Sequence, residues 1–174
     1  IMTPRSAWWT CTAERAGGIA LWLACIRHFA QQPGERDVIF TANTGHELGH
    51  VGLERFLEER PALLDGAHAW IHLGANFSTV DSMVCLQASE AFMQIGRDML
   101  AAEDTSPEVV VPSDTRPLGE AENIFDGGGR YLSLLGSNRW FHHPDDRWPH
   151  TVDLGRTVKL TRAMLKIARF MAGA

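Results

Sequence analysis

The stretch that decides the fold is Asp37-Val-Ile-Phe-Thr-Ala42, followed by Asn43-Thr44-Gly45 and His46-Glu-Leu-Gly-His50. The first six residues are β-rich and bounded by turn formers, which predicts a buried strand. Asn43-Thr44-Gly45 breaks it. A helix is predicted next, over about 47–59, stopping near Pro61. Strand, turn and helix in that order are the signature of an α/β unit.

The same alternation extends outward. Ile19, Trp22, Leu23, Ile26 and Ala30 recur at helical spacing and predict a helix over 16–31 with those residues inward. Ala67–Leu73, Met83–Gln87, Val109–Val111 and Tyr131–Leu135 read as strands. A helix is predicted over 89–102, with Phe92, Ile95 and Met99 on one side. Residues 112–130 read as a loop with one turn of helix, and 136–150 as a long polar and aromatic loop. The last helix is predicted over 153–171, with Leu160, Met164, Ile167 and Met171 on its core stripe. The expected fold is α/β, a three-layer α/β/α sandwich on a mixed, mostly parallel sheet. Sites in such sheets gather at the carboxyl ends of strands. The polar clusters at 43–47, 74–76 and 136–146 follow strands.

Bulk properties bound the function. The chain has 174 residues, 45% hydrophobic and 21% charged. That composition fits one globular domain. Its net charge of −5 argues against a nucleic-acid footprint or an anionic membrane surface. The longest apolar run is Gly17–Ile26. That is about half of the roughly 20 residues that cross a bilayer. Cys11, Cys25 and Cys85 make an odd count without CxxC spacing, so no disulfide scaffold or cysteine zinc knuckle is expected. Gly127-Gly-Gly129 is no phosphate cradle, because no helix start with Lys or Ser/Thr follows.

His46-Glu47-Leu48-Gly49-His50 matches HExxH, in which helical histidines at i and i+4 grip zinc and the glutamate acts as base. The extended form needs glycine at 53 and histidine at 56, where the chain has Leu53 and Phe56. Glu90 is the nearest candidate for a third glutamate ligand. Without zinc the segment reads as a helix N-terminus with an acidic first turn and an exposed His50.

Phe40-Thr-Ala-Asn-Thr-Gly-His-Glu-Leu-Gly-His-Val-Gly52 also resembles the strand, turn and "E-E-x-G-L-x-G-S" helix start of the co-catalytic zinc aminopeptidases, the family of bacterial leucyl aminopeptidases and glutaminyl cyclases. Pro112-Ser-Asp114 resembles their "S-D-x-x-P-F" loop, and Trp140-Phe-His-His-Pro-Asp-Asp146 resembles "Y-H-T-P-x-D". The resemblance covers roughly 3–172. It implies a zinc exopeptidase-like domain over 1–174, lacking its N-terminal strands, that hydrolyses small peptide or aminoacyl substrates. It places Glu47 and His142 on zinc-ligand positions and His46 on the general-base position. Thr3, Ala13 and Gly74 stand where further ligands are expected, so a normal two-zinc site is not implied. One zinc held by Glu47, His142 and the neighbouring Glu14 is the leading expectation. His46 would handle protons, and Arg15, His72, Asn76, Asp114 and Trp140 are candidate substrate contacts. Two alternatives stand beside it. One is a non-metal site with Ser6 or Cys11 as nucleophile. The other is a non-catalytic member serving as a ligand-binding or structural module.

Overall fold

The computed structural model describes residues 11–174. A π-helical turn, Thr12–Ala16, leads into helix α1 (Gly17–Gln31). A 3₁₀ turn (His46–Leu48) precedes α2 (Val51–Glu59) and α3 (Ala62–Gly66). Strands β1 (Trp70–Leu73) and β2 (Met83–Ala88) follow, then α4 (Glu90–Ala101), β3 (Val109–Val111), α5 (Ala121–Asp126), β4 (Tyr131–Ser137) and α6 (Leu154–Ala172). The strands form one sheet in the order β1-β4-β2-β3. The β1–β4 and β2–β3 pairs are parallel, and β2–β4 is antiparallel. The α/β class and the mixed, mostly parallel sheet are as expected.

The two faces of the sheet bury different things, as the period of two along a strand requires. Leu132 and Leu134 of β4, with Ile71 and Leu73 of β1, join the core formed with α1, α4 and α6. Trp70 and Tyr131 belong instead to a cluster with Leu53 and Phe56 of α2 and Ala121 and Ile124 of α5. His72, Ser133 and Gln87 lie in register across β1, β4 and β2. Alternation puts His72 and Ser133 on the α2/α5 face. The three form a polar row between two apolar ones.

Helix α6 is the most legible element. Asp153 caps its first turn by accepting from the Arg156 N–H at 2.9 Å, and Gly173 ends it in the left-handed conformation. Both are residue types those positions favour. Leu160, Met164, Ile167 and Met171 are all buried, as the spacing predicts. Complete burial of each such side chain contributes about 1.5–3 kcal/mol.

Two expectations fail here. Helix α1 is rotated from the predicted orientation: Leu21, Cys25 and Phe29 are buried, while Ile19 and Leu23 are 56% and 49% exposed. The helix is apolar nearly all round, so periodicity does not fix its inward face. Gly18 does. A Cβ there would stand 2.6 Å from the Gly74 carbonyl oxygen, so only glycine allows this close approach to the end of β1. The second failure is the strand predicted over 37–42. These residues pair with no described strand. Val38, Ile39 and Phe40 instead line a cavity of about 550 Å³ shared with Trp70, Ile71 and Leu73 of β1. β-Propensity is present, but a strand also needs a ladder partner. Thr3 and Ser6 lie outside the described residues.

Candidate metal centre

The HELGH segment is not a helix. Gly45, Gly49 and His50 all adopt positive φ, so the segment is a single 3₁₀ turn between left-handed residues. Only a small left-handed region is open to a side-chain-bearing residue such as His50. The helix predicted over 47–59 therefore begins at Val51. Adjacent side chains of the segment go to different places. Glu47 reaches Arg15 and His142, whereas His46 reaches Glu120. His46 and His50 still meet, with ring centroids 5.1 Å apart, but through a 3₁₀ turn and a left-handed residue rather than on one α-helical face, and Glu47 points to the other cluster. Glu90 is engaged elsewhere, accepting from Ser113 Oγ at 2.6 Å.

The first cluster brings Glu14, Glu47 and His142 together. One ligand atom from each lies within 4.8 Å of the others. His142 Nε2 is 3.3 Å from Glu47 Oε1 and 3.6 Å from Glu14 Oε1. Three separate segments supply them: the turn before α1, the HELGH turn and the loop after β4. Glu14 is fully buried, and its carboxylate also accepts the His142 backbone N–H at 3.1 Å. His142 has a positive φ, a conformation uncommon for a side-chain-bearing residue. Asp146 fixes the base of this cluster. Entirely buried, it accepts from the backbone N–H groups of Ala13 (2.7 Å) and Glu14 (2.9 Å) and from Thr151 Oγ (2.7 Å). A carboxylate taking the free N–H groups of a first helical turn is doubly favoured, by hydrogen bonding and by the dipole. On the other side, the Asn76 N–H donates to the Glu14 carbonyl at 2.9 Å.

Oxygen and nitrogen donors of this kind suit zinc, whose ligands stand about 2.0–2.2 Å from the ion. The donor set fits in type, and closing 4.8 Å requires only a modest inward movement. Arg15 complicates the fit. Its Nε donates to Glu14 Oε1 at 3.0 Å and its Nη2 to Glu47 Oε1 at 3.2 Å. The guanidinium thus neutralises the same two carboxylates that a cation would use.

The second cluster centres on Glu120, just before α5. His46 Nδ1 lies 2.9 Å from its Oε1, and His72 Nε2 lies 3.2 Å from its Oε2. Burial opposes ionisation of Glu120, but the hydrogen bond and charge of His72 and the hydrogen bond of His46 outweigh it. The carboxyl is held well below the usual carboxylate range, because partners that favour the charged form win over desolvation. An ionised Glu120 only accepts, which assigns the tautomers. His46 carries its proton on Nδ1 and His72 on Nε2. When His72 is neutral, its Nδ1 accepts from Ser133 Oγ at 2.8 Å, and Ser133 Oγ accepts from Gln87 Nε2 at 3.2 Å. Leu118 N donates to Gln87 Oε1 and closes the chain. A cleft of about 540 Å³ is lined by Arg15, Asn43, His72 and Glu120 together.

The other expected contacts are placed less favourably. Asn76 is buried, and its backbone serves Glu14 and Asn138 rather than the cleft. Asp114 is exposed in the Pro112–Thr115 turn, with no contact to either cluster among the described residues. Trp140 is half-buried in the His142 loop, with the Arg139 guanidinium 4.8 Å above its ring. Burial, then the Glu14 charge, push the Cys11 thiol up, the wrong direction for a nucleophile. His50, expected at the surface, is mostly covered: its ring stacks 5.1 Å from His46.

Sequence reasoning missed roles for Asp146 and Glu120; it read His50 either as the second histidine of HExxH or as a surface residue. The acidic end of the Trp140–Asp146 block carried a signal for Asp146. Nothing local marked Glu120. No described helix is long and apolar enough to cross a membrane. No family model, curated protein or solved structure matches the chain.

Proposed function

We propose that the chain is a one-metal hydrolase of peptide or amide bonds, of the exopeptidase type its sequence resembles, with Glu14, Glu47 and His142 holding a zinc ion. The observation that carries this reading is the convergence of those three side chains from three separate segments. Zinc bound there supplies a Lewis acid for a carbonyl or for water.

The chain's own residues divide the remaining work. Asp146 and Asn76 hold the backbone at Glu14 from two sides, so the buried carboxylate keeps one position. Glu120 fixes His46 with its proton on Nδ1, which leaves the Nε2 lone pair to take a proton during hydrolysis. His72 and Ser133 hold Glu120 in turn, the pattern of a base oriented by a carboxylate. When Arg15 releases the carboxylates, its guanidinium is available in the cleft for the carboxylate of a small peptide or aminoacyl substrate.

Arg15 also favours a second reading, a non-catalytic domain in which the guanidinium is the permanent counter-ion of Glu14 and Glu47. Metal analysis with peptide and aminoacyl-amide turnover separates the two. Hydrolysis that needs zinc and is lost in Glu47→Ala supports the hydrolase. Zinc content unchanged in Glu47→Ala and no turnover with zinc supplied support the counter-ion reading.

A further inference from the structure

The geometry points to a second divalent-cation site, formed by His46, His50 and Glu120. One ligand atom from each lies within 4.8 Å of the others, and none belongs to the Glu14–Glu47–His142 set.

The local chemistry is that of imidazole ligands already oriented by other groups. His46 Nδ1 stands 2.9 Å from Glu120 Oε1. Two donors on one ion, with bonds of about 2 Å, stand at a similar spacing. A cation entering between them replaces the shared proton, which leaves to solvent or moves to Nε2. His50 Nδ1 lies 2.9 Å from the Asn123 side-chain oxygen, which can only accept. That tautomer leaves the lone pair of His50 on Nε2, the arrangement of a ligating imidazole whose other nitrogen donates to a carbonyl. His72 holds the second Glu120 oxygen and steadies the carboxylate ligand. Glu122, with an oxygen 3.5 Å from His50 Nδ1, adds negative charge beside the site. Two imidazoles and one carboxylate suit zinc or cobalt(II) rather than magnesium or calcium, which prefer oxygen ligands.

The site would join the HELGH turn to the start of α5. If His46 handles protons in hydrolysis, a cation here also withdraws it from that work. This consequence rests on the hydrolase reading; the site itself does not.

The test uses chelator-stripped protein dialysed against zinc or cobalt(II), with bound metal counted. Glu47→Ala should retain one equivalent. In that background His50→Ala and Glu120→Gln should each lose it. Retention of the equivalent in both double variants, or no metal in Glu47→Ala, overturns the proposal. Equal metal content in wild type and Glu47→Ala, with the His50→Ala loss intact, sinks the first centre and leaves this one standing. A readout on the folded Glu47→Ala protein guards against misfolded double variants. Added zinc should shift the ring nitrogen resonances of His46 and His50 and spare those of His68 and His150. Unmoved His46 and His50 resonances overturn the site.

Discussion

Replacing Arg15 with alanine should make zinc bind more tightly, although it deletes two ion pairs. Arg15 is linked to Glu14 at 3.0 Å and to Glu47 at 3.2 Å, and a cation must displace it from both. The Glu14 carboxylate is fully buried. A charge-assisted hydrogen bond to such a group is worth about 2 kcal/mol. Glu47 is 58% exposed. Its pair is worth about 0.5 kcal/mol. Removing the competitor therefore relieves about 2.5 kcal/mol, or about 60-fold in zinc affinity at about 1.4 kcal/mol per decade. The metal-free variant moves the other way. Glu14 loses its cation and keeps the His142 N–H. That costs about 3 kcal/mol of stability, the low end for a buried pair because Arg15 is partly exposed. The signature is a lower Tm without metal and a larger zinc-induced rise. Calorimetric titration measures the affinity, and thermal melts with and without zinc measure the rest. Zinc affinity that is unchanged or weaker in Arg15→Ala refutes the competition.

The remaining predictions concern the supports of the two clusters. Asp146→Ala strands two buried N–H groups and the Thr151 hydroxyl. The expected cost is about 3–5 kcal/mol in all. Urea unfolding should show that loss, with a smaller one for Asp146→Asn; a loss under about 1 kcal/mol contradicts the assigned role. Glu120 gives a pH test. Its carboxyl is held below its ordinary value of 4.5, so its contribution is complete above that pH and is lost progressively below it. The stability gap between wild type and Glu120→Gln should therefore narrow as the pH falls from about 4.5 to about 3. A gap that stays constant or widens over that interval counts against the ionised Glu120 network.

Most elements were legible because hydrophobic period is a local property. Helix α6 is the clearest case: its four stripe residues are all buried. Residues 37–42 show the limit of such reading. Val-Ile-Phe has the composition of a strand, but pairing depends on what lies beside it, and no described strand does. Helix α1 shows another limit. Its residues are apolar on most sides, and the inward face is chosen by Gly18 meeting the Gly74 carbonyl, a contact far away in sequence.

The site was legible in part for the same reason. Glu47, His142 and Glu14 came from a family resemblance, and they lie together. The division of labour within HELGH was hidden. Left-handed backbone at Gly45, Gly49 and His50 sends neighbouring side chains to different clusters, and a letter pattern carries no φ angle. Glu120 reaches His46 across 74 positions, and Asp146 reaches Glu14 across 132. Contacts of that span depend on the finished sheet.

The most direct test is the zinc content of wild type against Glu47→Ala and His142→Ala, after chelator stripping and dialysis against zinc. Wild type should bind one equivalent more than either variant, and only wild type should hydrolyse aminoacyl amides. Equal zinc content in all three proteins would contradict this.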